Sequence, residues 1–497
     1  FAERFSATKT AYTATTAAES VTVAATPRDE SYTVTVNGGS NTTVPLNLGE
    51  NKIDVVVTNP GGYTNTYTIT VTRLAAIEGG FTVDHADAKA TVWDSNKDRV
   101  APTDGKYSVM ADAEYTYLVQ SDGYVSQKST FKFSESSTVD ITLAVATENP
   151  NLDRSITAEW GNFRNGDNNL GITNAKTPYA PEDTELLWAV KHGTGWAAAP
   201  GSPIMVDGDI YTYSGSTIRR LNSMTGEVVT EGTMVDKSSY SIVPMTYGDG
   251  MVFVGLSGGK IQAFNAKTLE SLWVYTDELG GQPNCPITYK DGYIYAGFWN
   301  SEDRNANFAC INTVDEDHAS ATEVKYASWT YTRAGGFYWA GAYVTDKLAI
   351  VGTDDGAGGY DTNGAALLVF DRYTGEKLDA HEGIRGDLRS NVSHDPESDR
   401  VFFTTKGGIL GNAQSTCTPS VYNGRIYIGV AGTSQFGANS GHGIAVYNLN
   451  SDGSMTQAYV YAIVGYPQTS AMVSTAYSAE DGSVYIYLPY NYTPGGV

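Results

Sequence analysis

The chain has 497 residues, enough for about three domains that each bury a core. Only 18% of its residues are charged, whereas 53 Gly and 34 Tyr suit short strands joined by many turns. A formal net charge of −23 excludes nucleic acid and anionic membrane surfaces as natural partners, because both need a positive footprint; it leaves cations and neutral ligands such as glycans.

From the start of the chain, β-branched residues alternate along Ser20–Ala25, Tyr32–Val36, Lys52–Val57 and Tyr67–Thr72. Turn residues such as Asn37-Gly38-Gly39 and Pro60-Gly61-Gly62 separate these runs, which predicts a small antiparallel sandwich over residues 1–74. The runs around Val36-Asn37-Gly38, Val44–Asn51 and Tyr67–Arg73 resemble the cadherin-like β-sandwich module of bacterial surface proteins. That resemblance implies a spacer. Residues 75–146 form a second all-β unit: Ala90–Trp93, Asp104–Val109, Tyr115–Val119 and Gly123-Tyr124 resemble the carboxypeptidase-regulatory-like sandwich. Asp94, Asn96 and Asp98 copy the start of a calcium loop, but Arg99 and Gly105 stand where it needs Gly and Glu, so a solvated turn is expected.

Residues 147–497 carry a repeat. Asp207-Gly208, Asp249-Gly250 and Asp291-Gly292 recur at a spacing of 42 residues, each before a β-branched and aromatic run. Weaker copies follow at Asp346, Ser398, Asn423-Gly424 and Asp481-Gly482. Asp-Gly and Asn-Gly tolerate the positive φ of tight hairpins, and a strand-and-turn period of this length is that of a β-propeller. With the lead-in Trp160–Arg164 and Asn168–Thr173, Leu187-Trp188 and closing turns such as Asn222–Glu227 and Asp371–Glu376, residues 156–497 resemble the PQQ-like quinoprotein propeller family. The fold expected is all-β: two small N-terminal sandwiches, then a propeller of about seven or eight blades, incomplete in this chain. The interval from Ser398 to Asn423 is only 25 residues, too few for four strands, so chain is expected to be missing near Ile409–Gly411, and more sequence beyond Phe1 and Val497.

Extra residues collect between second and third strands of the blades, at Trp299–Ala306, Thr353–Gly364, Ala431–His442 and Pro489–Pro494. These loops share a propeller face with the connections entering each inner strand, which carry Trp196 and Phe337–Trp339, and insertions on one face mark a binding face. Trp196, Trp299, Tyr338, Trp339, Tyr360 and Phe436 are therefore the candidate ligand-binding residues, suited to stacking on sugars; the competing reading is that they seal the blade tops. Asp354, Asp355, Asp361 and Asn363 could offer oxygen ligands to Ca²⁺, against the reading of a solvated acidic turn.

The family resemblance implies quinone-dependent dehydrogenase chemistry, which in that family uses a calcium, a carboxylate base, a stacking Trp and an adjacent Cys pair. No two of the three cysteines are adjacent, Cys285 and Cys417 are expected on inner strands and Cys310 on a later one, and no positions match the calcium ligands. His192, His381, His394 and His442 are expected in loops without metal spacing. No catalytic residue and no cofactor is expected, neither PQQ nor any other, with Ca²⁺ the one alternative. The leading expectation is a non-catalytic extracellular or cell-surface protein for binding, adhesion or assembly, taking a glycan or surface protein and inserting no segment of its own into a membrane. The alternatives are a quinone-dependent oxidoreductase and a self-assembling subunit of a surface polymer.

Overall fold

The computed structural model describes residues 5–178, 180–193, 200–238, 244–320, 323–358, 362–407, 415–431 and 441–491. The chain divides into two compact units, 1–146 and 147–497.

In the first unit, Thr64–Arg73 pairs antiparallel with Gly49–Thr58, which pairs with Thr33–Val36, while Ser20–Thr22 pairs with Thr43–Pro45. The alternation turns Ile53, Val55, Ile69 and Val71 onto one core with Tyr12. One pairing departs from the expected antiparallel sandwich: Ala11–Thr16 lies parallel to Thr64–Arg73. A period of two specifies which face is buried and carries no information about strand direction. Residues 76–141 form two four-stranded sheets around Val92, Tyr107, Val119 and Phe131. Asp94 Oδ1 accepts the amides of Asn96 and Asp98, each at 2.9 Å, which makes this segment an ordinary side-chain-capped turn.

The second unit is the propeller, and seven sheets follow one another among its described residues. Their inner strands are Ile204–Val206, Thr246–Gly248, Thr288–Lys290, Tyr343–Val344, Ser393–Asp395, Ser420–Tyr422 and Met472–Ser474. Asp207, Asp249, Asp291 and Asn423 hold φ of 53°, 53°, 43° and 48°, each followed by a positive-φ glycine, so the four form equivalent tight turns between first and second strands. Asp481 differs, because its Asp-Gly pair lies within a ten-residue connection, 475–484, between Met472–Ser474 and Tyr485–Tyr487. The fifth sheet has two strands, Ser393–Asp395 and Arg400–Phe402, where the repeat interval is short; residues 408–414, including the expected break, lie outside the described residues. The core is a succession of layers between neighbouring blades, such as Phe253, Trp273, Ile294 and Ile311 between the second and third.

One segment ties the ring. Ala158–Trp160 pairs with the inner strand of the first sheet, and Ile172–Thr173 pairs in parallel with that of the last. Between them, Tyr247 N donates to Gly161 O (2.7 Å), Lys290 reaches Asp167 (3.0 Å), and Asn169 Nδ2 donates to Ala342 O and Val392 O (3.0 and 2.9 Å). Arg164, 3% exposed, shares the two hydrogens of Nη2 among Leu170 O, Ser420 Oγ and Ala471 O, which lie 2.8, 2.6 and 2.6 Å away. Residues 158–173 thus reach the inner strand, or the residue just before it, of all seven sheets.

Candidate binding face

The first strand of each blade runs away from its incoming connection and the second runs back, so incoming connections and second-to-third-strand loops lie on one face. Four such segments meet at the third to fifth blades: 298–304 and the described residues 353–358 and 362–364 between strands, and 335–342 and 385–392 leading into the fourth and fifth sheets. Backbone hydrogen bonds lock them together, with Phe337 N donating to Phe298 O (2.9 Å), Asp354 N to Gly336 O (3.1 Å) and Leu388 N to Thr353 O (3.1 Å).

On this frame stand three half-buried aromatics. Trp299 and Tyr338 have ring centroids 4.9 Å apart at 57°, and Tyr338 and Trp339 lie 4.7 Å apart at 33°. Trp339 has φ of 59°, a left-handed conformation uncommon for a bulky side chain, which the neighbouring structure must enforce. The enforcement is visible two residues on, where Gly341 N is held by Asn391 Oδ1 at 3.0 Å, and a Cβ at Gly341 would lie 2.5 Å from that oxygen. Trp299 Nε1–H is enclosed and has no acceptor among the described residues. Phe337, by contrast, is fully buried against Phe308 and belongs to the core.

Beneath the aromatics sits Arg389, 5% exposed, with Cζ 4.5 Å from the Tyr338 ring centroid. Its Nη2 lies 2.7 Å from Glu302 Oε2, 2.6 Å from Asp354 Oδ2 and 3.0 Å from Asp387 Oδ2. Burial pushes Asp354 up to about 8 and Asp387 up to about 6, against the pull of Arg389, while Asp354 above all holds the guanidinium firmly protonated despite its burial.

Of the sequence candidates, Trp299, Tyr338 and Trp339 come together, and Asp354 lies beside them through Arg389. Asp355 belongs to its own turn, its carboxylate accepting from Ala357 N (2.9 Å) and Thr362 Oγ1 (2.5 Å). Asn363 is exposed. Trp196, Tyr360, Phe436 and Asp361 lie outside the described residues. Sequence reading missed Asp387 and Arg389 and did not single out Glu302; the available signal was three charged residues in loops of a charge-poor repeat. The expected places of four further residues are corrected. Cys285 and Cys417 precede their inner strands by three residues, in the incoming connections, and His381 and His394 lie on strands Lys377–Ile384 and Ser393–Asp395. All three thiols are buried, and burial pushes that of Cys417 up to about 11 and those of Cys285 and Cys310 higher still.

The donor oxygens of Glu302, Asp354 and Asp387 lie within 4.8 Å of one another, close enough for one cation. Arg389 already stands among them, and its positive charge would have to leave before a metal entered. The residues present therefore do not fit a calcium or a calcium-bound quinone, and no chemistry is drawn through either.

Residues 1–74 match the cadherin-like beta sandwich domain family. Cadherin-like domains are typical of extracellular proteins. No helix among the described residues is long and apolar enough to cross a membrane. Among solved structures, the chain is similar to the quinohemoprotein alcohol dehydrogenase of Comamonas testosteroni (11% identity, TM-score 0.47, covering 70% of this chain and 78% of that one). It is similar also to the quinohemoprotein alcohol dehydrogenase ADHIIG of Pseudomonas putida HK5 (10%, 0.45, 67% and 76%) and to BamB of Moraxella catarrhalis (12%, 0.30, 59% and 73%). No curated protein matches the chain.

Proposed function

We propose that this is a non-catalytic cell-surface binding protein whose propeller presents Trp299, Tyr338 and Trp339 to a glycan. The observation that carries the reading is the contiguity of the three rings on loops from two different blades, half-buried and braced from below. Contiguous aromatic faces stack on the apolar faces of sugar rings, each contributing on the order of 1 kcal/mol, so affinity would come from repeated weak contacts. The absence of catalysis is supported by the side chains nearby: the Cys285 thiol is buried and held protonated, and Asp354 and Asp387 are engaged by Arg389. The N-terminal sandwiches serve as spacers in this reading. The test is the intact protein applied to a glycan array and to immobilised surface proteins. Binding to glycans supports the reading; binding to proteins alone would replace the glycan by a protein ligand.

A further inference from the structure

We propose that Arg389 is a positioning residue that acts as a built-in cation, pinned from below by Glu302, Asp354 and Asp387 and pressed against Tyr338, and that it restricts the ligand of this face to uncharged sugars. The inference rests on the glycan reading and names the class of glycan.

A guanidinium free to meet a ligand would recognise a carboxylate or sulfate bidentately. Arg389 is 5% exposed, and its Nη2 has three carboxylate oxygens within 3.0 Å, so its charge is spent inside the protein. Three carboxylates stand against one guanidinium. Even with a proton retained on Asp354, the cluster remains negative beneath the rings, in a chain whose net charge is −23. An acidic sugar placed on the aromatics would meet this field, and Arg389, held by its three carboxylates, cannot turn to answer it, whereas a neutral ring meets only the stacking surface. The planar guanidinium lies over the Tyr338 ring, and Tyr338 is the member that joins the two tryptophans, so its orientation passes to both contacts.

The experiment titrates the full chain, by tryptophan fluorescence, with neutral hexamers (cellohexaose, maltohexaose, mannohexaose) and acidic ones (hexagalacturonate, hexaguluronate). The wild-type protein is expected to bind a neutral hexamer at least tenfold more tightly than any acidic one. Arg389→Lys keeps the charge and loses the planar stack; it is expected to weaken neutral binding at least fivefold and to change the near-UV circular dichroism of the aromatic cluster, with or without ligand. Tyr338→Leu, which leaves the ion cluster intact, is expected to do the same. Tighter binding of an acidic hexamer, or a lysine variant identical to wild type in affinity and near-UV spectrum, overturns the proposal while leaving a glycan-binding face. Failure of the wild type to bind any hexamer or array glycan overturns the glycan reading itself.

Discussion

Arg164→Met tests whether residues 158–173 close the propeller. The substitution keeps most of the side-chain volume and removes the Nη2 group, whose two hydrogens are shared among three acceptors at 2.6–2.8 Å, Leu170 O, Ser420 Oγ and Ala471 O. At about 2 kcal/mol for each of the two charged N–H donors, these stabilise the fold by about 4 kcal/mol. Against that stands the desolvation of a guanidinium that has, among the described residues, no carboxylate beside it and no acceptor for its Nε–H, and this burial pushes its pKa down to about 10. The net loss expected is about 2 kcal/mol. A unit of about 350 residues unfolds with an entropy near 0.7 kcal/mol/K, so its melting temperature should fall by about 3 °C. Scanning calorimetry of the full chain measures this, and Ser420→Ala, which also removes the Ser420 Oγ–H bond to Ala471 O at 2.6 Å, should cost less in the Arg164→Met background than alone, since both variants remove the Arg164–Ser420 bond. A melting temperature unchanged or raised, or strictly additive effects, would refute the closure argument.

Gly171 has φ of +66°, and a Cβ there would overlap the Arg164 guanidinium; Gly171→Ala should lower the melting temperature by several degrees, and Arg164→Met should relieve part of that loss in the double variant. Asp354, raised to about 8 when folded, keeps a proton that the unfolded chain releases near 4, so its contribution to stability is greatest below pH 4 and is lost as the pH rises to about 8. Asp354→Asn should therefore flatten the decline in stability between pH 5 and pH 7, which has an upper slope of about 1.4 kcal/mol per pH unit, and chemical denaturation at the two pH values should show it. Parallel pH profiles for wild type and variant would contradict it.

The turns were the most legible part of the sequence, because Asp207-Gly208 and its equivalents encode their own backbone conformation in two adjacent residues. The faces of the loops were legible from topology alone: an insertion after the second strand goes to one side whatever its residues, and Trp299 and Tyr338 meet there accordingly. Partners set by three-dimensional contact left no such local trace. Arg164 reads as one basic residue in a lead-in segment, yet its acceptors lie as far away as Ser420 and Ala471. Asp387 and Arg389 lie in a connection with no repeat signature, and their link to Glu302 and Asp354 exists only once three blades are side by side. Local pattern likewise gave Ala11–Thr16 its alternation but not its parallel partner.

The measurement that bears most directly on the proposed function is the affinity of the Trp299→Ala, Trp339→Ala double variant for a glycan that the wild-type chain binds on an array. Each ring contributes about 1 kcal/mol by stacking, so the dissociation constant should rise about thirtyfold, with the melting temperature of the propeller little changed. Binding within twofold of wild type would make these aromatics seals of the blade tops and contradict the account of this face.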